Sequence, residues 1–200
     1  MGKQYDLIII GAGPGGYVAA KKAAKLGMSV VIIDKGDVGG TCINRGCIPT
    51  KALVHAAMLY REMTECEKFG LSAEKVGFDL QKIYEYKDLS AARMREELEK
   101  EFKELGVVSV RGNATIQSDK KVRVVTPKKE EVYYYGKYIL IATGAKARTI
   151  DIPGLDLPGV MTSEELLTSN ESQYRRLLIL GGGVIGIELA TVFNALGSEV

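Results

Sequence analysis

The sequence contains one pattern of strand, glycine-rich turn and helix twice, and this repeat constrains the fold more than any other feature. In the first copy the apolar run YDLIII at 5–10 leads at once into GAGPGG, and the Ala-rich segment that follows stops at Gly27. A second apolar run, MSVVIID at 28–34, is continuous, as expected of a strand covered on both faces. These segments predict a right-handed βαβ unit in a parallel sheet. The segment RRLLILGGGVIGIELATVFNALGSEV at 175–200 repeats the strand, turn and helix.

Three glycines in each copy have the spacing of a dinucleotide-binding turn. Gly11, Gly13 and Gly16 would serve, in that order, the tight turn, the close approach of backbone to a pyrophosphate, and the packing of helix on strand. The equivalents in the second copy are Gly181, Gly183 and Gly186. An acidic residue is expected about 20 positions further on to hold ribose hydroxyls, and Asp34 fits. The spacing alone is weak evidence, but its position between strand and helix favours a dinucleotide site in each copy.

Cys42 and Cys47 stand in the run GGTCINRGCIPTK at 39–51, and four intervening residues can bring two sulfurs within bonding reach. Because the chain opens without a secretory signal, we expect a reducing compartment, in which a disulfide is usually catalytic. Zinc is disfavoured, since the remaining soft ligands, Cys66 and His55, lack the spacing of a structural site. Cys66 is expected to be a small buried hydrophobe without a role.

The two cysteines are expected to play different parts. A helix beginning near Pro49 would stabilise a thiolate at Cys47, which could then donate electrons to an electron-poor ring. Cys42, farther out in the loop, would exchange with an external dithiol or disulfide. Lys51, one turn into the helix, is either an ordinary exposed lysine or a cation beside the reduced ring. This pattern indicates electron transfer.

Between the two glycine-rich turns the pattern changes. The recurrence of Leu89, Leu98 and Phe102 predicts an amphipathic helix over about 86–105. The stretches VVSVRG, KKVRVVT and EEVYYYG between 107 and 138 predict a small antiparallel meander, whose tyrosines at 133–135 are structural rather than a stacking platform. YILIATGAK at 138–146 predicts another buried strand, and residues 177–180 one more. The Pro- and Gly-rich run IDIPGLDLPG between these strands predicts a domain crossing, followed by a helix near 163–167.

The charge balance argues against two classes of partner. The chain has 27 basic and 25 acidic residues and a net charge of +2. That balance is too even for a protein that binds nucleic acid or a membrane surface through its field. Its apolar runs all fall short of the roughly 18 residues of a membrane span. We therefore expect a cytoplasmic protein with no nucleic-acid or membrane partner.

With four ordered motifs in place, the chain resembles the flavin-dependent pyridine nucleotide-disulfide oxidoreductases. GAGPGG, GGTCINRGCIPTKAL, ILIATGA and GGGVIGIELA stand in that family's order and approximate positions. The resemblance implies an α/β fold in which residues 1–150 form a Rossmann-like FAD-binding domain, a parallel sheet plus a small antiparallel meander, without its C-terminal return segment. Residues 151–200 would begin a second Rossmann-like domain that binds NAD(P).

The resemblance also implies roles for individual residues. Cys42 would be the interchange thiol and Cys47 the charge-transfer thiol, and Lys51 would pair with Glu188 beside the flavin, these four being the catalytic set. Val184 would gate access over the flavin. The residues that would line the FAD are Gly11, Gly13, Pro14, Gly15, Gly16, Asp34, Lys35, Gly40, Thr41, Cys42, Cys47, Lys51, Asn113, Ala114, Ala142, Thr143 and Gly144. The cofactor-binding positions of the second copy would be Gly181, Gly183, Val184, Ile185, Gly186 and Glu188.

The wording GCIPTKAL is nearest to the members of the family that oxidise dihydrolipoamide. It implies oxidation of protein-bound dihydrolipoamide to lipoamide with reduction of NAD, through a Cys42–Cys47 redox disulfide and FAD. The partners would be lipoyl domains of 2-oxoacid dehydrogenase or glycine-cleavage complexes, and the assembly a homodimer. Reduction of mercuric ion, glutathione or another small disulfide is the alternative.

A non-catalytic FAD-binding fragment is the alternative of another class. The family's general base is a histidine paired with a glutamate in a C-terminal dimerisation domain, and no residue of this sequence matches it. His55, the only histidine, lies one turn after Lys51 on an apolar-rich helix and is expected to be a core or surface residue. By the offset of the first copy, the residue that selects NAD or NADP would lie beyond Val200. These 200 residues are therefore expected to be the N-terminal portion of a longer polypeptide.

Overall fold

The structure is a computed structural model that describes residues 3–118, 120–148, 150–170 and 173–200. Its contacts divide the chain into two compact units, Met1–Asn44 with Ala92–Lys146, and Arg45–Ala91 with Ala147–Val200. The assignment of residues 1–150 to FAD and of 151–200 to a nicotinamide nucleotide stays a prediction. Among the helices in the described ranges, none is both long and apolar enough to cross a membrane.

The first unit contains a six-stranded mixed sheet. The strands are β1 (Lys3–Ile10), β2 (Val30–Asp34), β3 (Val108–Arg111), β4 (Asn113–Ile116), β5 (Lys121–Val125) and β6 (Glu131–Ile141), in the spatial order β3-β2-β1-β6-β5-β4. β1 is parallel to β2 and β6, and β2 is parallel to β3, whereas β4, β5 and β6 pair antiparallel. Helix α1 (Pro14–Lys25) connects β1 to β2. The predicted βαβ unit and the combination of parallel sheet and meander are confirmed.

Both faces of β2 and of the second half of β1 are covered, which explains their continuous apolar sequence. Ile8 and Ile9 are adjacent in β1 and point to opposite faces, yet both are fully buried. Tyr134 is also buried, and its ring centroid lies 6.0 Å from that of Tyr5. One core cluster of the first unit comprises Ile8, Val31, Ile33, Val122, Val124 and Tyr134.

The prediction for the first strand of the meander was wrong. VVSVRG does not pair antiparallel with its successor but lies parallel to β2, with Val31 opposite Val108. Helix α4 (Leu80–Glu104) precedes it and supplies the long connection that a parallel strand needs. Gly112 then separates β3 from β4, and a Cβ there would lie 2.6 Å from Cγ1 of Val124, so glycine allows a close approach at this junction.

The predicted strands EEVYYYG and YILIATG are one strand, β6, of 11 residues. The sequence suggested a turn at Gly136, but this glycine lies within the strand, where a Cβ would be 2.8 Å from Cγ1 of Ile8. The expected burial of the second half was also wrong, because Tyr138 and Ile141 are exposed. Gly136 therefore marks a close approach of two strands rather than a chain reversal.

Helix α4 begins two turns earlier than the predicted start near Tyr86. Leu98 and Phe102 are buried as expected, but Leu89 is 56% exposed. The buried positions in the earlier turns are Tyr84, Lys87 and Ala91. The buried Lys87 interrupts the apolar pattern of these turns, so the sequence predicted the wrong buried face for them.

The second unit is helical. Helices α3 (Cys47–Thr64), α5 (Ser163–Ser169) and α6 (Val184–Ala195) contribute to it, with a short 3₁₀ helix at Cys66–Phe69, while α2 (Gly40–Arg45) leads into it. The helix predicted near 163–167 is confirmed, and α3 begins two residues before Pro49. The core residues of this unit are Leu53, Ala57, Tyr84, Leu167, Leu189, Val192, Phe193 and Leu196.

The strand predicted at 177–180 is not formed. Within the described ranges, the segment shows an isolated parallel bridge between Arg176 and Glu199 instead. The N–H of Leu177 donates to the carbonyl of Glu199 at 2.8 Å, and Leu178 is 87% exposed. A parallel strand needs neighbours that pair its backbone and cover its side chains, and the sequence pattern cannot supply them by itself.

Candidate functional site

The first glycine-rich turn is packed so closely that two of its glycines admit no side chain. Gly11 has φ of +105°, and a Cβ there would lie 2.1 Å from the carbonyl oxygen of Ala142. A Cβ on Gly16 would lie 1.8 Å from the carbonyl oxygen of Gly11. These are the tight turn and the helix-on-strand packing that the motif predicts. Ala142, in turn, donates its N–H to Ile10 at 2.8 Å, which anchors the end of β6 beside this turn.

Gly13 differs from its two neighbours because it faces open space. Among the described residues, its Cβ would meet a single atom within 4 Å, the Cα of Gly40 at 3.8 Å. Gly13 is the N-cap of α1, with no side-chain cap and no acidic residue in the first turn. Unpaired N–H groups at such a helix start attract anions. The residues present therefore fit a pyrophosphate such as that of FAD, and this fit agrees with the role predicted for Gly13.

Asp34 ties two loops together at the end of β2. Its Oδ2 accepts the N–H of Ala12 at 2.7 Å, and its Oδ1 accepts the N–H of Gly36 at 2.8 Å. The carboxylate thus orders the glycine-rich turn directly, a role that sequence reasoning did not assign to it. Each carboxylate oxygen keeps a further lone pair, so the predicted contact with ribose hydroxyls stays open.

The residues predicted to lie near the adenine follow the junction between β3 and β4. Gly112 donates its N–H to the carbonyl of Asp34 at 2.8 Å, which places the exposed Asn113 and the half-buried Ala114 next in the chain after that contact. An ion pair that the sequence did not reveal, between Arg111 and Asp37 at 3.0 Å, joins the same two segments.

The remaining positions predicted to line the FAD are at or near the surface of the first unit. Ala142 is half-buried and closes β6 at the carboxyl end of the parallel strands. The other predicted residues of this group are exposed: Pro14, Gly15, Lys35, Thr41, Thr143 and Gly144. Their contact with a cofactor stays a prediction.

Asn44 fixes the loop that carries Cys42, and sequence reasoning missed it. Its Nδ2 donates to the carbonyls of Gly40 at 2.9 Å and Val38 at 3.1 Å. Its Oδ1 accepts from Arg95 at 2.9 Å. An asparagine between two candidate redox cysteines is a visible signal, because amides are well suited to tie a loop to its own backbone.

The two cysteines lie in consecutive helices, Cys42 within α2 and Cys47 at the start of α3. Cys42 is half-buried in α2, and Cys47 is exposed as the first residue of α3, after Gly46 at the N-cap. Thr50 closes the first turn of α3 by donating its N–H and its Oγ1 to the carbonyl of Gly46 at 3.0 and 2.7 Å. The helix start is thus at Cys47 itself. The redox pairing with Cys42 stays a prediction.

Lys51 and Glu188 form an ion pair in the second unit. Nζ of Lys51 lies 2.5 Å from Oε1 of Glu188, and this contact links α3 to α6. The resemblance implied this pair, and the structure forms it, whereas its position beside a flavin stays a prediction. Lys51 follows Cys47 by four residues, one helical turn along the same face of α3.

The second glycine-rich turn repeats the local geometry of the first. Gly181 has φ of +111°, and a Cβ on Gly186 would lie 2.2 Å from the carbonyl oxygen of Gly181. Gly183, like Gly13, is an N-cap without a side-chain cap, with φ of −77°. Among the described residues, no atom lies within 4 Å of a Cβ built on Gly181, whereas a Cβ on Gly11 would meet Ala142. Val184 and Ile185 are exposed at 73% and 56%, so the turn is formed but uncovered.

A family model described as pyridine nucleotide-disulphide oxidoreductase matches residues 5–200. The chain belongs to this family. The match covers both glycine-rich turns and the cysteine motif, so the resemblance seen in the sequence is confirmed.

Relatives of this oxidoreductase share its N-terminal region. Dihydrolipoyl dehydrogenase of Staphylococcus aureus is 40% identical over 98% of this chain and 41% of its own length. The protein of the same name from Acholeplasma laidlawii is 41% identical over all of this chain and 59% of its own length. The structure titled Cu(II) complex of HOCl-induced flavoprotein disulfide reductase RclA from Escherichia coli is 33% identical, with a TM-score of 0.81 over 99% of this chain and 41% of that one.

The chain therefore spans about two fifths to three fifths of the length of these relatives. Its fold is that of the FAD-binding region of disulfide reductases, and family membership implies FAD. The preference for NAD, the substrate and the assembly are finer questions that belong to the whole protein.

Proposed function

We propose that these residues belong to a flavoprotein that oxidises protein-bound dihydrolipoamide to lipoamide and reduces NAD. The observation that carries this proposal is the arrangement at the start of α3. Cys47 is its first residue, and the Lys51–Glu188 ion pair follows one turn later. Relatives of about 40% identity named dihydrolipoyl dehydrogenase support the choice of substrate.

The dithiol step conserves atoms and electrons within this chain. A substrate thiolate attacks Sγ of Cys42 in the Cys42–Cys47 disulfide, which breaks the S–S bond and releases Cys47 as a thiolate. The second substrate thiol then attacks the sulfur of the mixed disulfide, lipoamide leaves, and Cys42 becomes a thiol. Two electrons pass from substrate to protein; one substrate proton ends on Cys42, and the other is released to solvent when the attacking thiolate forms, because Cys47 stays a thiolate. Cys47, the leaving group, is the first residue of α3.

The cofactor would be held by residues of the first unit. Gly13 and the start of α1 would receive the pyrophosphate, and Asp34 would keep the turn in shape through the N–H of Ala12. FAD, when bound, supplies the acceptor for the electron pair and the hydride that reduces NAD. The ammonium of Lys51, paired with the carboxylate of Glu188, would lie one helical turn after Cys47 on α3.

A substitution and a set of assays test this function. In the intact protein, Cys47→Ser should abolish turnover of lipoamide, whereas Cys66→Ser should leave it unchanged. Turnover of lipoamide, glutathione and mercuric ion, each with NAD and NADP, separates dihydrolipoamide oxidation from its alternatives. Unchanged lipoamide turnover in Cys47→Ser would refute the proposal.

Partners and assembly follow from the same proposal. Lipoyl domains of a 2-oxoacid dehydrogenase or glycine-cleavage complex would present the substrate, and the protein would be a homodimer. Sedimentation of the intact protein, alone and with a purified lipoyl domain, measures both. A monomer that turns over lipoamide would contradict the dimer.

A further inference from the structure

An ion pair between Arg111 and Asp37 joins two segments at the carboxyl ends of neighbouring parallel strands. The guanidinium NH1 of Arg111 lies 3.0 Å from Oδ1 of Asp37, and both side chains are more than half exposed. Arg111 is the last residue of β3, and Asp37 follows the end of β2 by three residues. Ligands of parallel sheets bind beyond the carboxyl ends of the strands. The pair therefore stands at the edge of the sheet where a nucleotide is expected.

The same two segments are also tied together at their base. Asp34 and Arg111 are opposite each other in the pairing of β2 with β3. The N–H of Gly112 donates to the carbonyl of Asp34 at 2.8 Å. Oδ1 of Asp34 accepts the N–H of Gly36 at 2.8 Å, a turn in which an aspartate bonds to the backbone two residues on. The base of the loop is therefore fixed by hydrogen bonds that do not involve Asp37.

Asp37 is held through both its side chain and its backbone. Arg111 pairs with the carboxylate, and Nδ2 of Asn44 donates to the carbonyl of Asp37 at 3.5 Å. The next residue, Val38, is buried, and its carbonyl also accepts from Asn44, at 3.1 Å. The backbone contacts thus fix the loop toward α2, whereas the ion pair fixes it toward the junction of β3 and β4.

Two of the residues predicted to line the FAD belong to the segments that the ion pair joins. Lys35 is exposed in the loop before Asp37, and Asn113 is exposed two residues after Arg111. A ligand that contacts both segments binds more tightly when their separation is already set, because less conformational freedom is lost on binding. The ion pair can therefore contribute to affinity without touching the ligand.

We propose that Arg111 is a positioning residue for the adenosine end of FAD, and that through Asp37 it keeps the loop after β2 in its binding position. This inference rests on the proposed flavoprotein function. Loss of either side chain releases the loop from the junction of β3 and β4, so that FAD leaves faster. Because both partners are exposed, the rate of FAD dissociation is expected to rise by about two- to fivefold.

The test is the release of FAD from the intact holoprotein after dilution, followed by flavin fluorescence. Arg111→Met and Asp37→Asn should each raise the rate of release by about two- to fivefold. The double variant should release FAD no faster than either single variant, because the two residues act through one contact. Arg111→Lys keeps the charge and should retain most of the wild-type rate.

Two further measurements and a matched control separate positioning from general destabilisation. The difference in rate between wild type and Arg111→Met should shrink at high salt, because an exposed ion pair is screened. Hydrogen exchange of the holoprotein should become faster at residues 35–37 in Arg111→Met and stay the same in β1. The control is Arg123→Met, which removes a partly exposed pair with Glu131 in the antiparallel part of the same sheet. It should leave FAD release unchanged.

The outcomes separate this inference from the proposed function. If the intact wild type holds FAD but Arg111→Met releases it at the wild-type rate, or at the rate of Arg123→Met, the positioning role is disproved. Faster release in Arg111→Met but not in Asp37→Asn also disproves it, because Arg111 would then act without Asp37. If the intact wild type binds no FAD, the flavoprotein function itself fails.

Discussion

The ammonium of Lys51 pairs with the carboxylate of Glu188 at 2.5 Å, and this contact joins the helix that begins at Cys47 to the helix of the second glycine-rich turn. Lys51 is 60% exposed and Glu188 is 26% exposed. A pair whose lysine is this exposed contributes little to stability. The proposed function gives the pair a chemical role instead.

Replacing either member should therefore affect catalysis more than folding. For Lys51→Met and Glu188→Gln we expect the free energy of unfolding to change by at most about 1 kcal/mol. Turnover should fall by at least about tenfold, since preorganised charge at a reacting site is worth that much or more. Urea unfolding and lipoamide turnover measure the two effects. Lys100→Met, which removes an exposed pair with Glu104 elsewhere, should change neither.

The glycines of the first turn should separate folding from cofactor binding. Gly16→Ala places a Cβ 1.8 Å from backbone and should destabilise the fold by about 1–3 kcal/mol or more. Gly13→Ala meets only one atom, at 3.8 Å, and should leave the unfolding free energy nearly unchanged. Because the same Cβ would stand where the proposed site receives a pyrophosphate, Gly13→Ala should weaken FAD binding, measured by flavin fluorescence. Equal FAD affinity in Gly13→Ala and wild type would argue against this site.

Asn44 should hold the cysteine loop closed. Asn44→Leu removes its bonds to the carbonyls of Val38 and Gly40 and leaves Arg95 without that acceptor, at a cost of about 1–3 kcal/mol. Hydrogen exchange should become faster over residues 36–44 and stay the same in β1. The control is Arg93→Met, which replaces an exposed arginine of α4, the helix that also carries Arg95. Unchanged protection of the loop in Asn44→Leu would contradict this assignment.

Asp6 should make stability fall in acid. Lys137 at 2.6 Å and Ser29, through its hydroxyl and its N–H, hold the pKa of Asp6 well below the ordinary value of 3.8. A depressed folded-state pKa gives stability that is present above pH 3.8 and is lost as the pH falls below it. The difference in unfolding midpoint between wild type and Asp6→Asn should thus be constant near neutral pH and shrink below about pH 4. A difference that is independent of pH would contradict the carboxylate's role.

The local geometry of both glycine-rich turns was readable from the sequence. Gly16 and Gly186 each pack against the carbonyl of the glycine five residues before, because a strand that turns at once into a helix leaves no room for a side chain there. The parallel pairing of β1 with β2 and the start of α3 near the cysteines followed from equally local signals. The Lys51–Glu188 pair was implied by the family resemblance.

Pairings between distant segments were harder to predict. VVSVRG alternates like a meander strand, yet the preceding helix α4 delivers it parallel to β2. Lys87 made the early turns of α4 look polar. Its burial could not be predicted, because its two acceptors, Leu167 and Asn170, lie about 80 residues away along the chain. The ion pair between Arg45 and Glu164, at 2.6 Å, could not be predicted for the same reason.

The sequence by itself determined the elements, their glycine turns and the family, since these depend on contacts within a few residues. The tertiary structure decided which strands became neighbours, that Gly136 continues β6 instead of ending it, and that an isolated bridge between Arg176 and Glu199 stands where a strand was predicted at 177–180. The physical reason is that a strand is completed only by hydrogen bonds to other segments, and a buried charge only by acceptors brought from far along the chain.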